Sequence, residues 1–337
     1  MSKLAIIGGA GGLGSTMAFL LGLKDRFERI ALVGNRPNVL ETHLIDLREC
    51  FGEETSTVIS GGGYDELDGA DLVIMTGAIA RQRVASRDEY LLANLEVVIR
   101  VAREIKSRAP KATLINCTSP VDAYVMVFLR ELGWDRRRVL GFCRNDSQRF
   151  RHMAGKVLGL NPANLGGLSI GEHGQTQVPL FSTLTHNGRP LVLSSEQKVR
   201  VLSLLKNWYS HWQFQNSQRT TTWTSATSMW RTLTALGLVP AKSGGESGDS
   251  GANPPFGLAS AAAPGKAPGP FDRPGEPAIG SVALEGEYGL SGVALGLPIE
   301  GGPMGWARII EMDLWPGELA ALQKSAEKVK SLYNLCQ

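Results

Sequence analysis

The sequence predicts an α/β protein, a doubly wound parallel sheet followed by a mixed α/β region. Three observations lead there. Short apolar runs recur through the first half, stretches of helical length and spacing separate them, and a glycine-rich turn follows the first run at once. Strands buried on both faces of a parallel sheet read as unbroken apolar runs. Alternation of such runs with helices implies right-handed crossovers.

In chain order the predicted strands are LAIIG (4–8), RIALVG (29–34), DLVIMTG (71–77), TLINCTS (113–119) and RVLGF (138–142). Leu91, Leu95, Val98, Val101, Ala102 and Ile105 recur at helical spacing and predict a helix over 88–109. Past about 145 the pattern loosens. THNGRPLVL reads as strand around an Asn187-Gly188 turn. Helices are predicted over 195–209, 222–236 and 317–335, the last from Leu319, Leu322, Ala326, Val329 and Tyr333. Residues 240–280 hold 8 prolines and 9 glycines in 41 positions, a composition that predicts a long loop or tether without chemistry of its own. The expected domains are 1–145 and 146–337, the second carrying this Pro/Gly-rich insertion.

Composition narrows the function classes. The chain has 337 residues, 43% hydrophobic and 20% charged, as in ordinary globular proteins. A net charge of +3 is too small to argue for nucleic acid or a membrane surface as partner. The patch Asp135-Arg136-Arg137-Arg138 reads as a solvated turn before a strand. Cys50, Cys117, Cys143 and Cys336 lack CxxC spacing and paired histidines, so no metal is expected. Scattered cysteines fit a reducing compartment. No apolar run reaches the roughly 18 residues of a membrane span, and the first strand starts almost at residue 1. The expected location is cytoplasmic.

The turn Gly8-Gly9-Ala10-Gly11-Gly12-Leu13-Gly14 joins the first strand to the first helix, with Gly8, Gly11 and Gly14 spaced GxxGxxG. Such a turn lets backbone N–H groups and a helix N-terminus approach a pyrophosphate. A plain tight turn is the bland alternative. The strand–turn–helix placement favours a Rossmann-type dinucleotide site for NAD or NADP, with Gly8, Gly11, Gly12, Leu13 and Gly14 lining it. An NAD site places an acid about 20 residues beyond this turn, for the ribose hydroxyls. Gly34 stands 20 residues after Gly14, and no Asp or Glu occupies 30–40. Asn35 and Arg36 could instead hold the 2′-phosphate of NADP. The competing reading makes Arg36 a cap for the next helix, with Pro37 in its first turn.

Several stretches then occur in a telling order: GGAGGLG (8–14), ARQRVASRDEYLLAN (80–94), CTSPVD (117–122), NDSQRFR (145–151), GEHGQTQVP (171–179) and LEGEYGLSGVALGLPI (284–299). Together they resemble the malate/lactate dehydrogenase family over nearly the whole chain apart from 240–280. The resemblance implies a reversible hydride transfer between a 2-hydroxy acid and a nicotinamide cofactor. It makes His173 the proton-transfer base, Asp146 the carboxylate that orients it, and Arg149 the fork on the substrate's C1 carboxylate. Asp146 also reads as a helix cap. By the same resemblance Arg87 is the loop arginine that polarises the C2 oxygen, although a solvated side chain is its bland reading. Asn94, Thr118 and Ser119 fall at cofactor positions, Ser119 also facing substrate. Arg81 occupies the position where malate enzymes carry arginine and lactate enzymes usually glutamine, so malate is the expected substrate.

The chain departs from the family at Arg83-Val84, where a Pro-Gly pair is usual. Ser119 replaces an asparagine, and Gln175-Thr176 replaces the common Asp-Ser. The alternatives are a dehydrogenase of lactate or another anionic 2-oxo acid, and a non-catalytic nucleotide-binding protein of the same fold. Family membership implies a homodimer or homotetramer.

Overall fold

The structure, a computed structural model, describes residues 2–79, 87–217, 219–240 and 276–337. The chain runs β1 (Lys3–Ile7), α1 (Gly12–Leu23), β2 (Arg29–Val33), α2 (Pro37–Glu54), β3 (Val58–Gly62), β4 (Leu72–Met75), α3 (Arg87–Arg108), β5 (Thr113–Asn116), α4 (Val121–Leu132) and β6 (Val139–Gly141). It continues with α5 (Asn145–Leu158), β7 (Leu165–Ile170), β8 (Val178–His186), β9 (Arg189–Pro190), α6 (Ser195–Phe214) and α7 (Trp223–Ala235). After residues 241–275 come β10 (Ala278–Glu285), β11 (Ser291–Gly302), β12 (Gly305–Ile309) and α8 (Pro316–Asn334).

Nine strands form one sheet in the order β12-β11-β10-β6-β5-β4-β1-β2-β3. The six from β6 to β3 are parallel. Their order is that of a doubly wound dinucleotide-binding sheet, whose winding reverses between β1 and β4, where ligands of such sheets bind. All five predicted parallel strands are present. The sixth, β3, escapes prediction because VISGG carries three small residues and no clear apolar run.

The apolar runs fill both faces. Leu4 and Ile6 pack with Met17 and Leu21 of α1 on one side. Ala5 and Ile7 pack with Val101, Ala102 and Ile105 of α3 on the other. The predicted turn at Asn187-Gly188 is present, both residues having positive φ, 50° and 76°. It joins β8 to the very short β9 in a separate sheet, β7-β8-β9.

The large sheet crosses position 145. β10 lies antiparallel to β6 through Ser281 opposite Gly141, and β11 and β12 continue it. Most of the sequence assigned to the insertion, 241–275, lies outside the described residues. Its described C-terminal end is anchored at Glu276, whose carboxylate bridges the buried guanidiniums of Arg144 and Arg151 at 2.5 Å each.

Candidate active site

At the switch point, Gly8 has φ +87°, and a Cβ there would stand 2.6 Å from Gly77 N. A Cβ on Gly14 would stand 2.5 Å from Gly8 O, so α1 can start this close to β1 only with glycine. The nearest atom to a Cβ on Gly12 is 3.7 Å away. The turn is therefore tight on the protein side and open at Gly12, as a phosphate cradle requires. Leu13 is half-buried against the core. Arg36 is exposed and donates from Nη2 to Ala10 O at 2.7 Å, which lays its guanidinium beside this turn. Gly34 is half-buried, and Asn35 is exposed next to it.

Across the switch point, Thr118 is buried and donates from Oγ1 to Gly77 O at 2.8 Å, tying the end of β5 to the end of β4. Ser119 follows on the exposed rim. Asn94 is fully buried in α3, and its Oδ1 accepts the Ile79 amide at 2.8 Å. Arg81 lies outside the described residues. Arg87 opens α3, and its side chain lies outside them too.

The histidine loop leaves β7 at Gly171, whose φ of +87° suits glycine. A Cβ on Gly174 would meet the Glu172 carboxyl at 2.5 Å, because that side chain folds back to accept from Thr176. The two glycines flanking Glu172-His173 thus let the loop coil tightly around a buried acid.

α5 starts at Asn145, and its N-cap residue, Arg144, makes no side-chain cap. Asp146 sits inside the first turn, where a negative charge suits the helix dipole. It is not the cap its sequence suggests. Its Oδ2 lies 2.6 Å from His173 Nδ1, and its Oδ1 accepts from Arg149 Nη1 at 3.0 Å. The i,i+3 spacing does bring Asp146 and Arg149 to one face. The three side chains are 23%, 6% and 14% exposed for His173, Asp146 and Arg149.

A second carboxylate, missed in the sequence reading, braces the loop. Asp122, in the first turn of α4, accepts the His173 amide on Oδ2 at 2.8 Å and the Ser281 hydroxyl on Oδ1 at 2.6 Å. Its signal was an acid in the Pro-Val-Asp turn that opens a helix whose next seven residues, 123–129, carry no charge. Burial pushes the Asp122 carboxyl up to about 7, against the lowering effects of the Ser281 hydroxyl and of His173. Burial also works to lower the His173 pKa. The charge and hydrogen bond of Asp146, with the charge of Asp122, outweigh it and hold the imidazole above its ordinary value, while Arg149 opposes them. With Asp146 accepting at Nδ1, the neutral ring carries its proton there and presents Nε2 as the basic nitrogen. Such an imidazole can take a proton from an alcohol and return it.

Among the described residues, no group of three or more His, Cys, Asp or Glu is placed to hold a metal ion, and no helix is long and apolar enough to cross a membrane.

Residues 2–141 match the family described as lactate/malate dehydrogenase, NAD binding domain. Malate dehydrogenase 1 of Anaeromyxobacter dehalogenans is 30% identical over 97% of this chain and 96% of its own. The malate dehydrogenase of Halobacterium salinarum is 26% identical over 99% of each. Among solved structures, the malate dehydrogenase of Aeropyrum pernix superposes with a TM-score of 0.82 at 24% identity, covering 98% of this chain and 97% of that one. The lactate dehydrogenase of Cryptosporidium parvum complexed with lactic acid and nicotinamide adenine dinucleotide gives 0.81 at 22% identity, over 99% and 98%. Matched from end to end, with the doubly wound strand order and the glycine turn in place, the chain belongs to the lactate/malate dehydrogenase family.

Proposed function

We propose that this chain is a nicotinamide-dependent 2-hydroxy-acid dehydrogenase that interconverts malate and oxaloacetate. The observation that carries the reading is the Arg149–Asp146–His173 array, a carboxylate-binding cation and a proton-transfer group joined through one buried acid. The full-length malate dehydrogenase relatives support the substrate class. The glycine turn has the tightness at Gly8 and Gly14, and the room at Gly12, that a dinucleotide needs. When bound there, the nicotinamide supplies the hydride acceptor for C2 of the hydroxy acid.

His173 Nε2 takes the C2 hydroxyl proton during oxidation and returns it during reduction. Asp146 holds the ring by its other nitrogen and stabilises the imidazolium, as orienting carboxylates do. Arg149 grips the C1 carboxylate through paired N–H donors. We place Arg87 at the C2 oxygen, and Asn94, Thr118 and Ser119 along the nicotinamide side. The first test is a set of steady-state assays of oxaloacetate and pyruvate with each reduced cofactor. Absence of turnover with both acids overturns the reading.

Arg81 carries the choice between the two acids. Arg81→Gln is expected to reduce kcat/KM for oxaloacetate far more than for pyruvate, since only oxaloacetate has a second carboxylate to lose. A charge-assisted bond of about 1.5–3 kcal/mol corresponds to a selective loss of roughly 10–150-fold. Equal losses on both acids would remove Arg81 from that role and favour a lactate-type substrate.

The cofactor preference rests on Arg36. Its guanidinium already reaches the glycine turn at Ala10 O, and no carboxylate in 30–40 would repel a 2′-phosphate. NADPH is expected to serve at least as well as NADH, and Arg36→Ala to weaken NADPH selectively. Catalytic efficiencies with both at fixed oxaloacetate decide it. A strong NADH preference unchanged in Arg36→Ala sinks the NADP assignment.

We further propose a homodimer or homotetramer, for which exposed Phe19 and Ile45 on neighbouring helices offer apolar surface. A cytoplasmic location is proposed on the four free cysteines.

A further inference from the structure

Arg149 is held on two sides. Asp146 takes one of its N–H groups at 3.0 Å, and the indole of Trp208, on α6, lies against its face with the guanidinium carbon 3.8 Å from the ring centroid. Trp208 is itself fixed. It stacks on Trp212 at 5.5 Å with the planes 23° apart, and Trp212 Nε1 donates to Arg219 O at 3.0 Å. Its other edge packs against the small apolar cluster that contains Phe150 and Leu205, so α6 meets α5 immediately beside Arg149. A guanidinium recognises a carboxylate through two parallel N–H groups in its own plane, so recognition depends on where that plane lies. One hydrogen bond to Asp146 leaves the plane free to turn about that contact. A flat aromatic face against the guanidinium restricts that turning and attracts the cation.

We propose that Trp208 is a positioning residue for substrate binding: its indole face sets the plane in which Arg149 presents its N–H pair to the C1 carboxylate. The proposal rests on the reading of Arg149 as the carboxylate fork. No sequence spacing points to it, because α5 and α6 are separated by the whole β7–β9 sheet.

The test uses the full chain and three substitutions, Trp208→Leu, Trp208→Phe and Arg149→Leu. Trp208→Leu should raise the KM for oxaloacetate about tenfold, within the roughly 2- to 30-fold carried by a cation on an aromatic face. NADH affinity, followed by nicotinamide fluorescence, should stay unchanged. Trp208→Phe should recover most of the loss. Combined with Arg149→Leu, Trp208→Leu should add less than about twofold, because coupled residues are not additive. A role confined to packing gives the opposite result: additive losses, or a fall in cofactor affinity as well. Either outcome, or an unchanged KM in Trp208→Leu, overturns the proposal. If the parent reduces neither oxaloacetate nor pyruvate, the functional reading fails by itself, and the same variants are then compared by calorimetric titration of the NADH-loaded protein with oxamate. A tenfold loss in Trp208→Leu supports the stack there; equal affinities, or no oxamate binding by the parent, overturn it.

Discussion

His173→Asn is expected to lower turnover in both directions by about 10²–10⁴-fold, the usual contribution of a positioned acid–base group. Asparagine keeps a hydrogen bond to Asp146 within reach but has no nitrogen that titrates near neutrality. Cofactor affinity should hold, because the glycine turn at Gly8–Gly14 and the brace on the His173 amide do not use the imidazole. The pH dependence follows from the raised pKa of His173. Reduction of a 2-oxo acid needs the imidazolium, so its rate stays high below that pKa and falls as pH rises through it. Oxidation of the hydroxy acid needs the neutral ring, so its rate rises over the same interval. Asp146→Asn removes the main raising charge and should move both limbs to lower pH. Steady-state rates across a pH series in both directions check this. Parent-like turnover in His173→Asn would remove His173 from the reaction.

The second large effect belongs to Arg149. Truncating one partner of a buried, hydrogen-bonded charge pair costs about 2–5 kcal/mol, or roughly 30- to 4,000-fold in the equilibrium it supports. Arg149→Leu should therefore lower kcat/KM for oxaloacetate and pyruvate alike within that range, mainly through KM. It should also shift the pH profile, because Arg149 holds the His173 pKa down. Without it the reduction limb moves to higher pH. The direction separates Arg149→Leu from Asp146→Asn, which moves the limb the other way. An unchanged KM for both acids would show that the C1 carboxylate is held elsewhere.

Much of this arrangement was legible in the sequence where the physics is local. Ile6-Ile7-Gly8 announces a buried strand meeting a tight turn, and the three-residue step from Asp146 to Arg149 needs only helical geometry to become a contact. The family resemblance located the histidine loop. What remained hidden depends on long-range pairing. β3 has two glycines and no apolar run to mark it. β10 joins β6 across the 241–275 segment, so nothing near Ser281 advertises that it meets Asp122. Asp146 resembled a helix cap because Asp-Ser commonly opens helices; its proximity to His173, 27 positions away, gives the carboxylate a different partner. Trp208 looks like any aromatic on a half-buried helix until α6 is laid against α5.

The brace on the histidine loop has a consequence for when the site becomes competent. His173, Asp146 and Arg149 all lie within the first half of the chain or just past it. Two of the groups that hold the loop in place come late: Ser281 reaches Asp122 across 159 positions, and Ser325 accepts the Glu172 amide across 153. On a ribosome, His173, Asp146, Arg149 and the bracing Asp122 all emerge well before these two hydroxyls, while the six parallel strands can already assemble. A nascent chain ending at residue 240 thus carries His173, Asp146 and Arg149, with a loop that has neither hydroxyl to fix it. The loop gains both hydroxyls only once β10 has closed on β6 and α8 has settled against it.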